Sequence, residues 1–214
     1  MILITRTPEE SEKLAEVLER LNFECLVEPM LTIKPVHPDW ENYLNAPIQS
    51  FIATSKNGKK HGSPSYPMAA IPAQGKNSYE LLQWIMKNLN PEKGKLLYLR
   101  GDIISFDIAG ELRKHGFTVD EVIVYHSIPP ENFSKNLIDN FFKIELALFF
   151  STKTLQNFLN LIVKSNLRKG LKHLRILALS EDILAVAKDF KFKATFVADE
   201  PNLNAMINKI DEIY

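Results

Sequence analysis

The 214-residue sequence holds one cysteine and eight glycines, and neither sign of charge is in excess. With Cys25 alone an internal disulfide is excluded, and a reducing compartment fits best. Cys25 lies in an apolar, strand-like run, where a free thiol usually behaves as a small hydrophobe, so a buried and inert Cys25 is expected. The 26 basic and 26 acidic residues cancel, which removes the electrostatic excess that nucleic acid or an anionic membrane would require. No apolar run nears the roughly 18 residues of a membrane span. The start, MILITRTPEE, lacks the charged and long apolar regions of a signal peptide. A soluble, cytoplasmic protein without nucleic-acid or membrane partners is the expectation. The sparse glycines form no GxGxxG after a strand, since RGDIISFDIAG is wrongly spaced. Neither a Walker lysine loop nor a GxSxG elbow occurs. Histidines stand at 37, 61, 115, 126 and 173 without H-x3-H or HExxH spacing, so no metal is expected.

What the sequence does contain is a proper core's worth of apolar residues, 45%, and an internal repeat. Residues 2–35 lie over residues 96–129 without a gap: Arg6 falls on Arg100, Leu18 on Leu112, Phe23 on Phe117 and Pro35 on Pro129. Each copy reads as strand, helix, strand and proline exit. In the first copy Thr7 is placed to cap the helix, Pro8 suits its first position, and Glu10 completes a capping box. Leu14, Val17, Leu18 and Leu21 form the expected buried stripe. Asn22 and Gly116 hold the same place after the helix, and both residue types tolerate the left-handed conformation that ends one.

Each copy continues with a strand that ends on a hydroxyl, Ser55 in SFIATSKNG and Ser151 in ALFFSTKT. Beyond Ser151, Leu155, Phe158, Leu159 and Ile162 mark a helix. LRILAL (174–179), a short helix through Leu184 and Ala187, ATFVAD (194–199) and a last helix marked by Leu203, Met206, Ile207 and Ile210 follow. MAAI (68–71) and a helix capped near Asn77 (Leu82, Ile85, Met86, Leu89) resemble the end of the second copy. About 29 residues are missing before them, replaced by the loop-like KKHGSPSYP. Alternating strands and helices predict parallel sheets covered on both faces, in an α/β protein with one sheet smaller than the other.

Open parallel sheets bind ligands at the carboxyl ends of their strands. That rule selects Thr5 and Arg6, Thr54 and Ser55, Arg100 and Gly101, Ser151 and Thr152, and Ser180. Hydroxyls before helix N-termini suit carboxylate or phosphate; the same residues serve equally as helix caps. Arg6 and Arg100 suit ligand anions or surface ion pairs.

Together these residues resemble the uroporphyrinogen-III synthase family. The likeness lies in ILITR (2–6), LLYLRGD (96–102), VIVYHSIPP (122–130), FFST (149–152) and ADEPNLNAM (198–206), in that order across essentially the whole chain. It implies two Rossmann-like (flavodoxin-like) parallel-sheet domains joined by a two-stranded β-ladder. Residues 1–34 plus 130–214 would form one domain. Residues 38–124 would form a second, inserted and shortened one, with 35–37 and 125–129 as crossing linkers. The family closes hydroxymethylbilane, a linear tetrapyrrole with eight carboxylates, into uroporphyrinogen III with inversion of ring D and loss of water. No cofactor is implied, because the pyrrole nitrogen itself expels the terminal hydroxyl. Tyr125 matches the family's tyrosine facing the space between the domains, and a phenol keeps its proton at neutral pH for donation to the leaving oxygen. His126 reads as an outward-facing strand residue. The implied state is a monomer, with hydroxymethylbilane synthase as a candidate transient partner.

Two departures stand out. The family's Val-Gly-x-x-Thr-Ala helix start falls in the missing segment, and its second-half counterpart reads ALSEDILAVA (178–187), with Ser180 for glycine and Ile183 for threonine. Two alternatives therefore stay open: a catalytically eroded member that binds a multi-carboxylate tetrapyrrole, or an unrelated receptor for an anionic metabolite.

Overall fold

The computed structural model describes residues 1–54, 57–58, 78–104 and 106–214. In chain order the strands are β1 (Ile2–Ile4), β2 (Cys25–Val27), β3 (Thr32–Pro35), β4 (Ile48–Ile52) and β5 (Lys95–Gly101), then β6 (Val119–Ile128), β7 (Leu146–Phe149), β8 (Arg175–Ala178) and β9 (Ala194–Val197). The helices are α1 (Pro8–Arg20), α2 (Ser78–Asn88), α3 (Ile108–Lys114), α4 (Lys135–Asn140), α5 (Thr152–Lys164), α6 (Glu181–Leu184) and α7 (Leu203–Ile213). The protein is mixed α/β with parallel sheets. It divides into two compact units, Met1–Thr32 with Ile128–Tyr214, and Ile33–Ser127. The predicted strand MAAI and the Asn77 cap lie outside the described residues.

In the first unit five strands run in the order β2-β1-β7-β8-β9, every neighbouring pair parallel. Parallel strands need crossovers, and the crossovers place helices on both faces. Leu3, Ala147, Phe149 and Ile176 face Phe158, Leu159 and Ile162 of α5. Ile2, Ile4, Leu146 and Leu148 face Leu14 and Leu18 of α1 with Met206 and Ile210 of α7. Burial on both faces is why ILI and LALF read as unbroken apolar runs. Each fully buried Leu, Ile or Phe contributes about 1.5–3 kcal/mol.

The α1 stripe is displaced from the predicted one. Ser11, Leu14, Ala15 and Leu18 are buried, while Val17 and Leu21 are 39% and 45% exposed. The inward face thus carries two small residues, Ser11 and Ala15, beside Leu14 and Leu18. The capping box also fails. The Thr7 hydroxyl donates to the Glu10 carboxylate at 3.0 Å and accepts no backbone N–H. Asn22 ends the segment with φ 64°. Cys25 is half-buried rather than buried, and burial pushes its thiol up to about 11, with Glu19 adding to the shift. Leu203 is 39% exposed, leaving Met206 and Ile210 as the buried residues of α7.

Two polar anchors tie the separated segments of this unit together. The buried Glu28 carboxylate accepts from the Ser134 N–H at 2.7 Å and the Ser134 hydroxyl at 2.6 Å, and Ser134 itself caps α4. The buried Asn157 amide donates to the Met30 carbonyl at 2.8 Å.

In the second unit the described strands run β3-β6-β5-β4, with β4–β5 and β5–β6 parallel. One face packs on Leu82 and Ile85 of α2 and on Ile108 and Leu112 of α3. Against the other face lie Ile33, Trp40, Tyr43 and Leu44, with the Trp40 ring edge-on to Phe51 at 6.4 Å. Aromatic residues in a connecting segment thus cover a surface that helices cover in the first unit.

The repeat is carried by the hydrogen-bonding register. Ile2 pairs with Cys25 and Leu96 with Val119; Ile4 pairs with Val27 and Tyr98 with Glu121. The helices differ, because α3 starts only at Ile108. Asp102 is drawn to the end of β6, and Asp107 caps the helix by accepting from the Gly110 N–H at 2.8 Å. Gly116, at φ 85°, takes the place of Asn22.

Candidate functional site

The order of the first sheet reverses between β1 and β7, where open α/β sheets take ligands at the carboxyl edge. Thr5 leaves β1 almost wholly buried, and its hydroxyl donates to the Leu148 carbonyl at 2.6 Å, closing the β1–β7 pair. Arg6 follows. Its guanidinium donates to Glu10 at 2.7 Å and lies 4.5 Å from the centroid of the Phe150 ring. Ser151 caps α5 by accepting from the Thr154 N–H at 3.2 Å, with Thr152 exposed as the first residue of the helix. Ser180 sits half-buried before α6, and its hydroxyl does not cap that helix.

The second cluster lies where β5 and β6 end. The register slips between Arg100 and Gly101, so Gly101 pairs with Tyr125 and not with Val124. One extra residue on β6 makes a bulge, which re-aims the side chains beyond it. Val124 and Tyr125 consequently lie in the same apolar cluster, with Leu97 and Leu99, where a regular strand would send them to opposite faces. The Tyr125 ring rests on Gly101. A Cβ built at Gly101 would stand 2.5 Å from Cε2 and 2.9 Å from the phenolic oxygen. Tyr125 is 9% exposed.

Around that ring the polar groups are mostly engaged. The Tyr98 and Thr54 hydroxyls share a hydrogen bond of 3.0 Å. Burial pushes the Tyr98 phenol up, against the opposing pull of the Thr54 hydrogen bond and Arg100, so it stays protonated. Arg100 donates through Nε to Glu121 at 2.6 Å and through Nη1 to the Gly101 carbonyl at 2.7 Å; Arg113 holds the other Glu121 oxygen at 3.0 Å. Asp102 accepts from the Ser127 and Ile103 N–H groups and meets His126 Nδ1 at 3.2 Å. Burial alone would raise the Asp102 carboxyl, but the Ser127 and His126 hydrogen bonds outweigh it and hold it low. Ser55 lies outside the described residues.

The sequence thus places Thr5, Arg6, Ser151 and Thr152 together at one sheet's point of reversal, and Thr54, Arg100 and Tyr125 near the end of the other sheet. Phe150 and Tyr98 were not singled out, and neither the Arg6–Glu10 contact nor the Asp102–His126 pair was anticipated. Phe150 and Tyr98 sit inside apolar strand runs and look like core. Glu121 is separated from Arg100 by 21 residues, so no local spacing reveals the pair. Among the described residues no three His, Cys, Asp or Glu side chains converge as a metal site.

The family model described as Uroporphyrinogen-III synthase HemD matches residues 63–208, more than half of the chain. The chain belongs to the uroporphyrinogen-III synthase family. Solved uroporphyrinogen-III synthases share its fold. That of Helicobacter pylori aligns over 100% of this chain and 99% of its own, at 15% identity and a TM-score of 0.66. A mutant enzyme of Thermus thermophilus aligns over 99% and 98%, at 14% identity and 0.60. A comparison with curated protein sequences finds no match. The uroporphyrinogen-III synthase family is one of enzymes, and among the described residues no helix is long and apolar enough to cross a membrane.

Proposed function

We propose that the protein is an active uroporphyrinogen-III synthase, a cyclising lyase that converts hydroxymethylbilane into uroporphyrinogen III and water. Its finer architecture in this reading is two Rossmann-like domains, residues 1–34 with 130–214 and residues 38–124, linked by a two-stranded ladder through 35–37 and 125–129. The β2-β1-β7-β8-β9 order, that of doubly wound flavodoxin-like sheets, supports it. So do the division after Thr32 and Ser127 and the adjacency of β3 to β6.

The observation that carries the assignment of Tyr125 is the bulge, which costs the β5–β6 pair its regular register and fixes this one phenol against Gly101. Bulges often re-aim a side chain beside an active site. Tyr125 donates its proton to the departing hydroxyl while the pyrrole nitrogen's lone pair expels it, leaving water and an azafulvene. Ring D attacks through its substituted carbon, and the spiro intermediate fragments and recloses. The proton lost on restoring the pyrrole balances the one donated. The remaining work is orientation of a flexible chain.

Carboxylate arms are held by Thr5, Arg6, Thr54, Ser55, Arg100, Ser151, Thr152 and Ser180 in this reading. Arg6 and Arg100 exchange Glu10 and Glu121 for substrate carboxylates. The exchange is easier at Arg6, whose partner Glu10 is the more exposed and where such pairs are worth only about 0–1 kcal/mol, than at Arg100, whose Glu121 is also held by Arg113. Thr152 and Ser180 stand beside free helix N–H groups that accept anions regardless of side chain.

The test is supply of fresh hydroxymethylbilane with separation of the isomers. Type III product is expected, slowed about 10²-fold in Tyr125→Phe. Type I product alone, with ligand bound, would identify a binding member of the family. No interaction would remove both readings.

A further inference from the structure

The groups considered so far lie at carboxyl ends of strands; the amino edge of the first sheet carries something different. Strands β8 and β9 are entered from the end of α5 with the 3-10 turn Arg168–His173, and from residues 188–193. Residues 164–175 hold five basic residues and no acid, and residues 188–193 hold three and one. The chain's overall neutrality therefore conceals a concentrated positive region in one place.

Part of that charge is used internally, since Arg175 pairs with Glu145 at 3.1 Å and Lys164 donates to the Glu131 carbonyl at 2.8 Å. Arg168, Lys169, Lys172 and Lys191 are different. They are exposed, form no ion pair among the described residues, and line a groove of about 640 Å³ with Val163 and Asp189. Solvated lysines usually spread over convex surface, whereas these converge on a concavity. Arg168 is also set in place before any ligand arrives. Its guanidinium lies 4.7 Å from the Phe190 ring centroid, and Nη2 donates to the Asp189 carbonyl at 2.7 Å. Val163, 51% exposed, adds an apolar wall.

We propose that this groove binds a small multi-anion carried on an apolar body, apart from the carboxyl-edge residues and independently of the cyclisation. Lysine ammoniums act as adjustable point charges for carboxylate, sulfonate or phosphate oxygens, and a stacked arginine adds a planar cation. Val163 and the Phe190–Arg168 stack offer the apolar contact. The volume falls in the usual range for small-molecule sites, about 300–1,000 Å³.

The test uses the full chain with pyrene tetrasulfonate, four anions on an apolar ring, and tripolyphosphate as a ringless counterpart. Fluorescence titration gives affinities and NMR of backbone amides gives the location. Shifts at 163–172 and 189–191 are expected. Lys169→Gln/Lys172→Gln/Lys191→Gln, three exposed changes that leave the Arg168 stack intact, should weaken binding about tenfold. Asp189→Asn should tighten it about twofold by removing a like charge from the anion's path. Tripolyphosphate should bind at least about tenfold more weakly than the pyrene, and equal affinity would overturn the apolar contribution. An unchanged affinity in the triple variant, or shifts gathered around Ser151 and Ser180, would overturn the site.

Discussion

Replacing Gly101 by alanine tests whether the tyrosine is held where the chemistry needs it. The new methyl would lie 2.5 Å from Cε2 and 2.7 Å from Cζ of Tyr125. Ordinary contact requires the ring to retreat by about 1 Å. Gly101 is buried and paired on β5, so the backbone cannot yield cheaply and the ring must move. Overpacking of this kind costs about 1–3 kcal/mol. A catalytic group displaced by about 1 Å loses on the order of 10²-fold in rate. The assay is the initial rate of type III isomer formation, with circular dichroism to establish folding. The double variant isolates the cause. In a Tyr125→Ala background the clash is relieved, so Gly101→Ala should cost no further activity and less stability. Full type III formation by a folded Gly101→Ala protein would refute the argument, as would additive losses in the double variant.

Four further outcomes follow from the packing. Glu28→Ala leaves the Ser134 N–H and hydroxyl without their buried acceptor and should destabilise the protein by about 2 kcal/mol in urea denaturation, with about 1 kcal/mol more lost when Ser134→Ala also removes the α4 cap. Ser11 is fully buried with its hydroxyl unpartnered among the described residues, so Ser11→Ala should stabilise by about 1 kcal/mol in the same measurement. With the Cys25 thiol raised from 9.0 to about 11, alkylation at neutral pH should run about 10²-fold slower than for a free thiol and rise with pH toward 11. The lowered Asp102 carboxyl contributes stability above the usual aspartate range, about 3.9, and loses it as pH falls through its own lower value. Asp102→Asn should therefore flatten acid unfolding below about pH 4, followed by circular dichroism.

Much of the first unit was legible because its strands are buried on both faces and its helices are amphipathic. Leu155, Phe158, Leu159 and Ile162 are each fully buried, as their spacing predicts. The 94-residue offset between Ile2 and Leu96 reappears as identical strand pairing. In α1 apolarity points to Val17 and Leu21, whereas the buried face is completed by Ser11 and Ala15, whose small side chains carry no hydrophobic signal of their own. A two-strand bulge leaves no mark in either strand alone, so Tyr125 could be named but its seat on Gly101 could not. The same holds for Arg100 with Glu121, whose encounter depends on the β5–β6 register.

The interior position of β1, between β2 and β7, sets an order of events during translation. Its partner on one side, β2, emerges at once, but its partner on the other, β7, is encoded only after the whole intervening unit. At ribosomal speed that gap lasts roughly 7–30 s, during which β1 presents an unpaired edge. Residues 33–127 are contiguous and can complete their own core in that interval. The nascent chain therefore needs the parallel strand–helix–strand unit of residues 2–27 shielded until the ribosome has moved past Phe149.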